Sequence, residues 1–194
     1  MDPLLNEITI ARPREEVFDY LADIANHAEF NDHFMVDWRL TREDTYGVGA
    51  GARWKAKMPF NRFPWGDSTI VEAERPRRIV EVGRTGKFNR IRTISVYELE
   101  PAGKGTRLRF TFESERKLRT DAIADRHGFM KRKLRKSMRR LQSILEEDYG
   151  RGTRPTIAGG PRKPATDSRS PRAATRRRRP STAPPRARTS TSAA

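Results

Sequence analysis

The sequence predicts an α+β domain: a curved antiparallel sheet of about seven strands wrapped round a long C-terminal helix, with two short helices after the first strand. Three observations predict it. Apolar residues recur at helical spacing near the end of the folded region. Alternating runs separated by turn signals fill 36–114 with no helical pattern between them, as antiparallel neighbours require. A single strand and two short helical patterns precede those runs.

Taken in order, Leu4 to Ala11 alternates and reads as the first strand. Pro13 suits the first turn of a helix, where its missing N–H costs nothing, and Glu15 and Glu16 favour the positive helix end. Val17, Tyr20, Leu21 and Ile24 then recur at helical spacing, placing a helix over about 13–23, with a second near 26–31. Val36 to Thr41 is a strand with Trp38 and Leu40 on one side. Glycines and polar residues make 43–51 a loop. Ala52, Trp54, Ala56 and Met58 alternate with Arg53, Lys55 and Lys57, a half-buried strand with a cationic outer face.

Pro59 ends that strand, and Phe60, Phe63, Pro64 and Trp65 form an aromatic loop. Three large aromatics exceed what a turn needs. The plain expectation is a loop folded back on the helix stripe; the alternative is a cap over a cavity mouth or a contact with a membrane or partner. Strands follow over 68–75, 78–84 and 90–100. The turn Ala102-Gly103-Lys104-Gly105 opens a hairpin into 106–114.

The long helix is placed over 121–149. Ile123, His127, Met130, Leu134, Met138, Leu141 and Leu145 form one stripe, while Lys131, Arg132, Arg135, Lys136 and Arg139 take the opposite side. At 1.5 Å per residue it would be roughly 40 Å long. Such a stripe needs a broad apolar surface, and the strands are the only candidate.

The 194 residues carry a formal charge of +16, unevenly spread. Residues 1–149 hold 29 Lys and Arg against 24 Asp and Glu, so a domain of 1–149 is only mildly basic. Residues 150–194 hold 12 against 1, with almost no large apolar side chains, which predicts a disordered basic tail. The chain has no cysteine, which excludes disulfides and thiolate chemistry. No apolar run is long enough to span a bilayer, and no signal-peptide pattern is visible, so a cytoplasmic protein is expected.

Four stretches carry a resemblance. They are Ile8 through Asp23, Gly47-Val48-Gly49-Ala50-Gly51-Ala52-Arg53-Trp54, Glu74 through Ile79, and Tyr97-Glu98-Leu99-Glu100-Pro101 before a Gly-Thr-Arg turn. Over about 4–148 the chain resembles the START-like superfamily with the Bet v 1-type helix-grip fold, also labelled SRPBCC or polyketide cyclase/dehydrase. The resemblance implies a hydrophobic ligand pocket between sheet and helix. Some members bind lipids, some cyclise polyketides, and some are stress or toxin-system proteins.

Strand alternation makes Trp38, Trp54, Met58, Val71, Val80, Val82, Thr93, Tyr97, Leu108, Phe110, Met130 and Leu134 the expected inward, ligand-contacting residues. A one-residue slip would invert a strand. Arg84, Tyr97 and His127 are the catalytic candidates, as polar groups able to steer enolisation. His27 and His33, near Glu29, Asp32 and Asp37, read as a surface loop without metal-ligand spacing. No nucleophile motif, P-loop or dinucleotide pattern is present, and no cofactor or metal is expected.

Three readings follow: a binder of a hydrophobic small molecule or lipid, a cofactor-free cyclase or dehydratase using the same pocket, and a nucleic-acid accessory. In the last, the 150–194 tail would make weak contacts with nucleic acid or anionic membrane.

Overall fold

The computed structural model describes residues 3–58, 64–115 and 128–147, and the backbone of 154–155 and 161–162. The elements run β1 (Leu4–Ile10), α1 (Arg14–Ala22), a 3-10 turn (Ile24–Asn26), α2 (His27–Asn31), then β2 (Met35–Leu40) and β3 (Gly51–Ala56). They continue with β4 (Trp65–Glu74), β5 (Arg78–Thr85), β6 (Ile91–Ala102), β7 (Gly105–Ser114) and α3 (Phe129–Glu147). A two-residue pairing of Arg154–Pro155 with Pro161–Arg162 follows.

β1 to β7 form one sheet in the order β1-β7-β6-β5-β4-β3-β2, every pair antiparallel. Only the first strand is out of sequence order, because it pairs with the last. α1 and α2 fill the 24-residue connection between β1 and the far-edge strand β2. Pro13 precedes α1 and Glu15 and Glu16 sit in its first turn, as the sequence requires. The Asp23 side chain accepts from Ala25 N and starts the 3-10 turn.

α3 presents Leu134, Met138, Leu141 and Leu145 to a core built from Ile10, Leu108, Phe110, Tyr97, Phe30 and Phe34. Burying each such leucine contributes about 2 kcal/mol. Polar contacts fix its place. Gln142 Nε2 donates to Thr9 O at 2.9 Å, Arg12 Nε to Leu145 O at 2.6 Å, and Ser137 Oγ to Asn31 Oδ1 at 2.7 Å. The Arg12 contact places a cation on a carbonyl of the helix C-terminus, where charge and hydrogen bonding act together.

The helix is shorter than the periodicity suggests. Gly128 has φ +63, in the left-handed region that glycine adopts without strain, so α3 begins at Phe129. Its 19 residues span about 28 Å. Ile123 and His127 lie outside the described residues, as do Phe60, Phe63 and most of the 150–194 tail.

Three expected inward residues, and with them the catalytic candidate Arg84, face the other way. On β4, Ser68 and Ile70 point in, so Val71 points out and is 49 % exposed. On β5, Ile79, Glu81 and Gly83 point in, which turns Val80, Val82 and Arg84 outward. The slip has a definite cause. Expectation assigned the apolar residues of Ile79–Arg84 to the core, but a carboxylate holds the central inward position. On β2 the pairing shifts between Val36 and Arg39, with Asp37 at φ 53. Trp38 packs against the core while Leu40 is exposed, not beside it.

Candidate functional site

The inner face of the sheet is made of cross-strand rows. Near the helix C-terminus they are large and apolar: Leu99, Leu108 and Ile8 in one, Ile79, Tyr97 and Phe110 in the next. Two rows further on the side chains become small. Ala52 pairs with Ser68, Ser68 with Gly83, Gly83 with Thr93, and Thr93 with Ser114, so one row crosses five strands without a large residue. The Ile24–Asn26 turn lies against β3, and Ala52 is fully buried. At the other end Thr93, Ser95, Phe112 and Ser114 are only half-buried. Gly83 is needed by the backbone: a Cβ there would stand 2.0 Å from Asp67 O.

Aromatics flank this row on the β2–β3 side. Trp38 and Trp54 stack with centroids 5.2 Å apart and planes at 15°. The Trp54 ring lies across Gly66, where a Cβ would sit 3.0 Å from it. Trp38 Nε1 is buried without a hydrogen-bond partner. Trp65 belongs to the opposite face, with Arg53 at 5.0 Å and Lys55 at 4.8 Å from its ring, so it is not folded back on the helix stripe.

A charged group is buried beside the small row. Glu81, 5 % exposed, accepts on Oε2 from Ser68 Oγ at 2.8 Å. Its Oε1 lies 3.2 Å from His27 Nδ1 but has no aligned hydrogen-bond donor. His27, 2 % exposed, faces Leu21 O through Nε2 at 2.8 Å. A carbonyl only accepts, so Nε2 carries a proton. The Tyr97 ring stands edge-on to His27 at 5.9 Å. Burial, reinforced by Glu81, pushes the Tyr97 hydroxyl well above its ordinary pKa and keeps it neutral.

Tyr97 and Arg84, two of the expected catalytic residues, lie on opposite faces of the sheet. Tyr97 is in the core, Arg84 is exposed on the outer face, and His127 lies outside the described residues. Of the expected ligand contacts, Trp54, Tyr97, Leu108, Phe110 and Leu134 are buried inward, and Trp38, Met58, Thr93 and Met130 are half-buried. Among the described residues no group of three or more His, Asp or Glu could hold a metal ion.

The profile of the family described as "Polyketide cyclase / dehydrase and lipid transport" matches residues 5–146. The chain belongs to that family. Solved structures share the fold of this polyketide cyclase/dehydrase and lipid-transport domain. Protein CV1439 of Chromobacterium violaceum is 17 % identical with a TM-score of 0.57, covering 75 % of this chain and 99 % of its own. Protein Mll3558 of Rhizobium loti is 19 % identical with a TM-score of 0.57, covering 74 % and 96 %. Ginseng major latex-like protein 151 of Panax ginseng is 12 % identical with a TM-score of 0.54, covering 74 % and 96 %. At these identities the likeness carries the fold alone. No curated protein matches the sequence.

Sequence reading missed the Ser68–Glu81–His27 group, for His27 was expected in a surface loop. One signal was available: a lone carboxylate in the apolar run Ile79-Val80-Glu81-Val82. The small row had none, because it exists only once five strands are in register.

Proposed function

We propose that this family member binds a hydrophobic small molecule or lipid between the sheet and α3. The row of Ala52, Ser68, Gly83, Thr93 and Ser114 supports this most directly. Short side chains on a concave face leave volume that larger ones would fill, and the half-buried Thr93–Ser114 end is where an apolar body would lie. Glu81 Oε1 and Trp38 Nε1 are buried polar atoms without hydrogen-bond partners. A ligand hydroxyl could donate to the first, and a ligand oxygen could accept from the second. The guest would therefore be mostly apolar with one or two oxygen functions.

Native mass spectrometry of protein made in its own host tests the reading. The parent should retain an apolar guest, and Thr93→Leu should lose it while unfolding at the same temperature or higher. Equal retention by both would refute this placement.

The buried His27–Glu81 pair favours a second reading, an enzyme of cyclase or dehydratase type on the same pocket. A carboxylate with an imidazole 3.2 Å away supplies the kind of base and acid that enolisation uses. Glu81→Gln should then abolish turnover of the identified guest and leave its binding intact. Unchanged turnover would remove Glu81 from the chemistry.

A further inference from the structure

The outward face of α3 is charged against the helix's own polarity. Lys131, Arg132, Arg135, Lys136 and Arg139 are all exposed on it, and among the described residues none has an ion-pair partner. Four of the five lie in the first eight residues of the helix, beside its positive end. No acidic residue occupies the first turn and no basic residue the last, where Glu146 and Glu147 stand instead. Helix stability prefers the reverse at both ends, and neighbouring like charges at i,i+4 add repulsion. Folding therefore does not account for this arrangement. The field reaches the His33 imidazole: burial, and beside it Lys136, Lys133 and Arg140, hold it below its ordinary pKa.

We infer that this face is a binding surface for the phosphate backbone of nucleic acid. The opposite side of α3 supplies the first argument. Leu134, Met138, Leu141 and Leu145 are all buried in the core, so the helix has no apolar face to lay into a bilayer. Peripheral membrane helices bind through such a face. The second argument is composition and reach. Three of the five cations are arginines, whose planar donors pair bidentately with phosphate. Residues 131–139 span about 12 Å of helix axis, enough to meet several phosphates at their ~3.4 Å axial repeat per strand. The third is the segment that follows the helix. Residues 150–194 add 12 Lys and Arg against one Asp, so binding by one element would raise the effective concentration of the other. No base-reading motif accompanies these charges, and the binding is sequence-independent.

The test uses the full chain and a fluorescent 24-base-pair duplex of mixed sequence, titrated by anisotropy from 50 to 300 mM salt. The comparison protein is the full chain carrying K131Q, R132Q, R135Q, K136Q and R139Q. Each cation withdrawn from a phosphate should flatten the log–log salt dependence by about 0.9. The variant should therefore be shallower by about 3 or more and bind roughly 100-fold more weakly at low salt. Its melting temperature should hold or rise, since the charges removed oppose the helix dipole. If the five-fold variant loses cooperative unfolding, R132Q/K136Q reads the same slope with a change of about 1.8. Parent-like slope and affinity in the folded variant would overturn the inference, placing all binding on 150–194. Absence of duplex binding by the parent at 50 mM salt would overturn it too. So would binding to phosphatidylserine-containing vesicles but not to duplex.

Discussion

At the residue scale the decisive side chain is Glu81. A carboxylate in the middle of an apolar strand is costly unless it is paired, and His27 and Ser68 provide the pairing. Removing one partner leaves the other buried alone. Glu81→Leu should cost about 3–5 kcal/mol in chemical denaturation. The double variant H27F/E81L, which removes both polar groups, should be less destabilised than E81L. A larger loss in the double variant would show that His27 is held by Leu21 O rather than by Glu81. His33 supplies a pH dependence. Its folded pKa lies below the ordinary value of 6.5, chiefly through burial, and Lys136, Lys133 and Arg140 oppose its protonation. The unfolded chain thus takes up the proton first as pH falls. Stability is full above pH 6.5, declines below it, and levels off beneath the folded pKa. Urea melts of the parent and H33N between pH 7.5 and 5 check this: the variant should lose less stability over that range.

At the scale of elements, register decides what each strand residue does. Ile70 and Val71 are neighbours of similar kind, yet Ile70 is buried and Val71 exposed. Ile70→Ala should cost about 2–5 kcal/mol, whereas Val71→Thr should stay within about 0.5 kcal/mol. Equal effects would mean that β4 has slipped by one residue. The helix α3 is held by its stripe, and Leu141 is fully buried at the centre of it. Leu141→Ala should likewise cost about 2–5 kcal/mol, read as a lowered unfolding midpoint with an unchanged denaturant slope. The periodicity over 129–147 was legible because an amphipathic helix writes its burial into its own spacing. Its start at Phe129 was not, since the left-handed conformation of Gly128 leaves no mark on the spacing of apolar residues.

At the scale of the whole molecule, two surfaces of α3 face two different environments. The inward stripe closes the core, and the outward face gathers cations that nothing in the described structure neutralises. The small-residue row lies on the inner face of the sheet, and the basic face on the outward side of α3. Filling the row with Thr93→Leu should therefore leave salt-dependent duplex binding unchanged, while neutralising the face should leave a retained guest in place. Measuring both properties on both variants separates the two proposals. Loss of both properties in either variant would mean that the sites are coupled through α3.

The sequence by itself determined the order of elements, the amphipathic helix, the family, and the concentration of positive charge in residues 150–194. These are carried by local spacing, turn residues and composition, which need no partner strand to be read. Only the tertiary structure decided which face Val71, Val80, Val82 and Arg84 take, that His27 meets Glu81, and that small residues from five strands share one row. Those depend on pairing between positions far apart in the chain, and a single bulge or an inward charge inverts what alternation alone would assign.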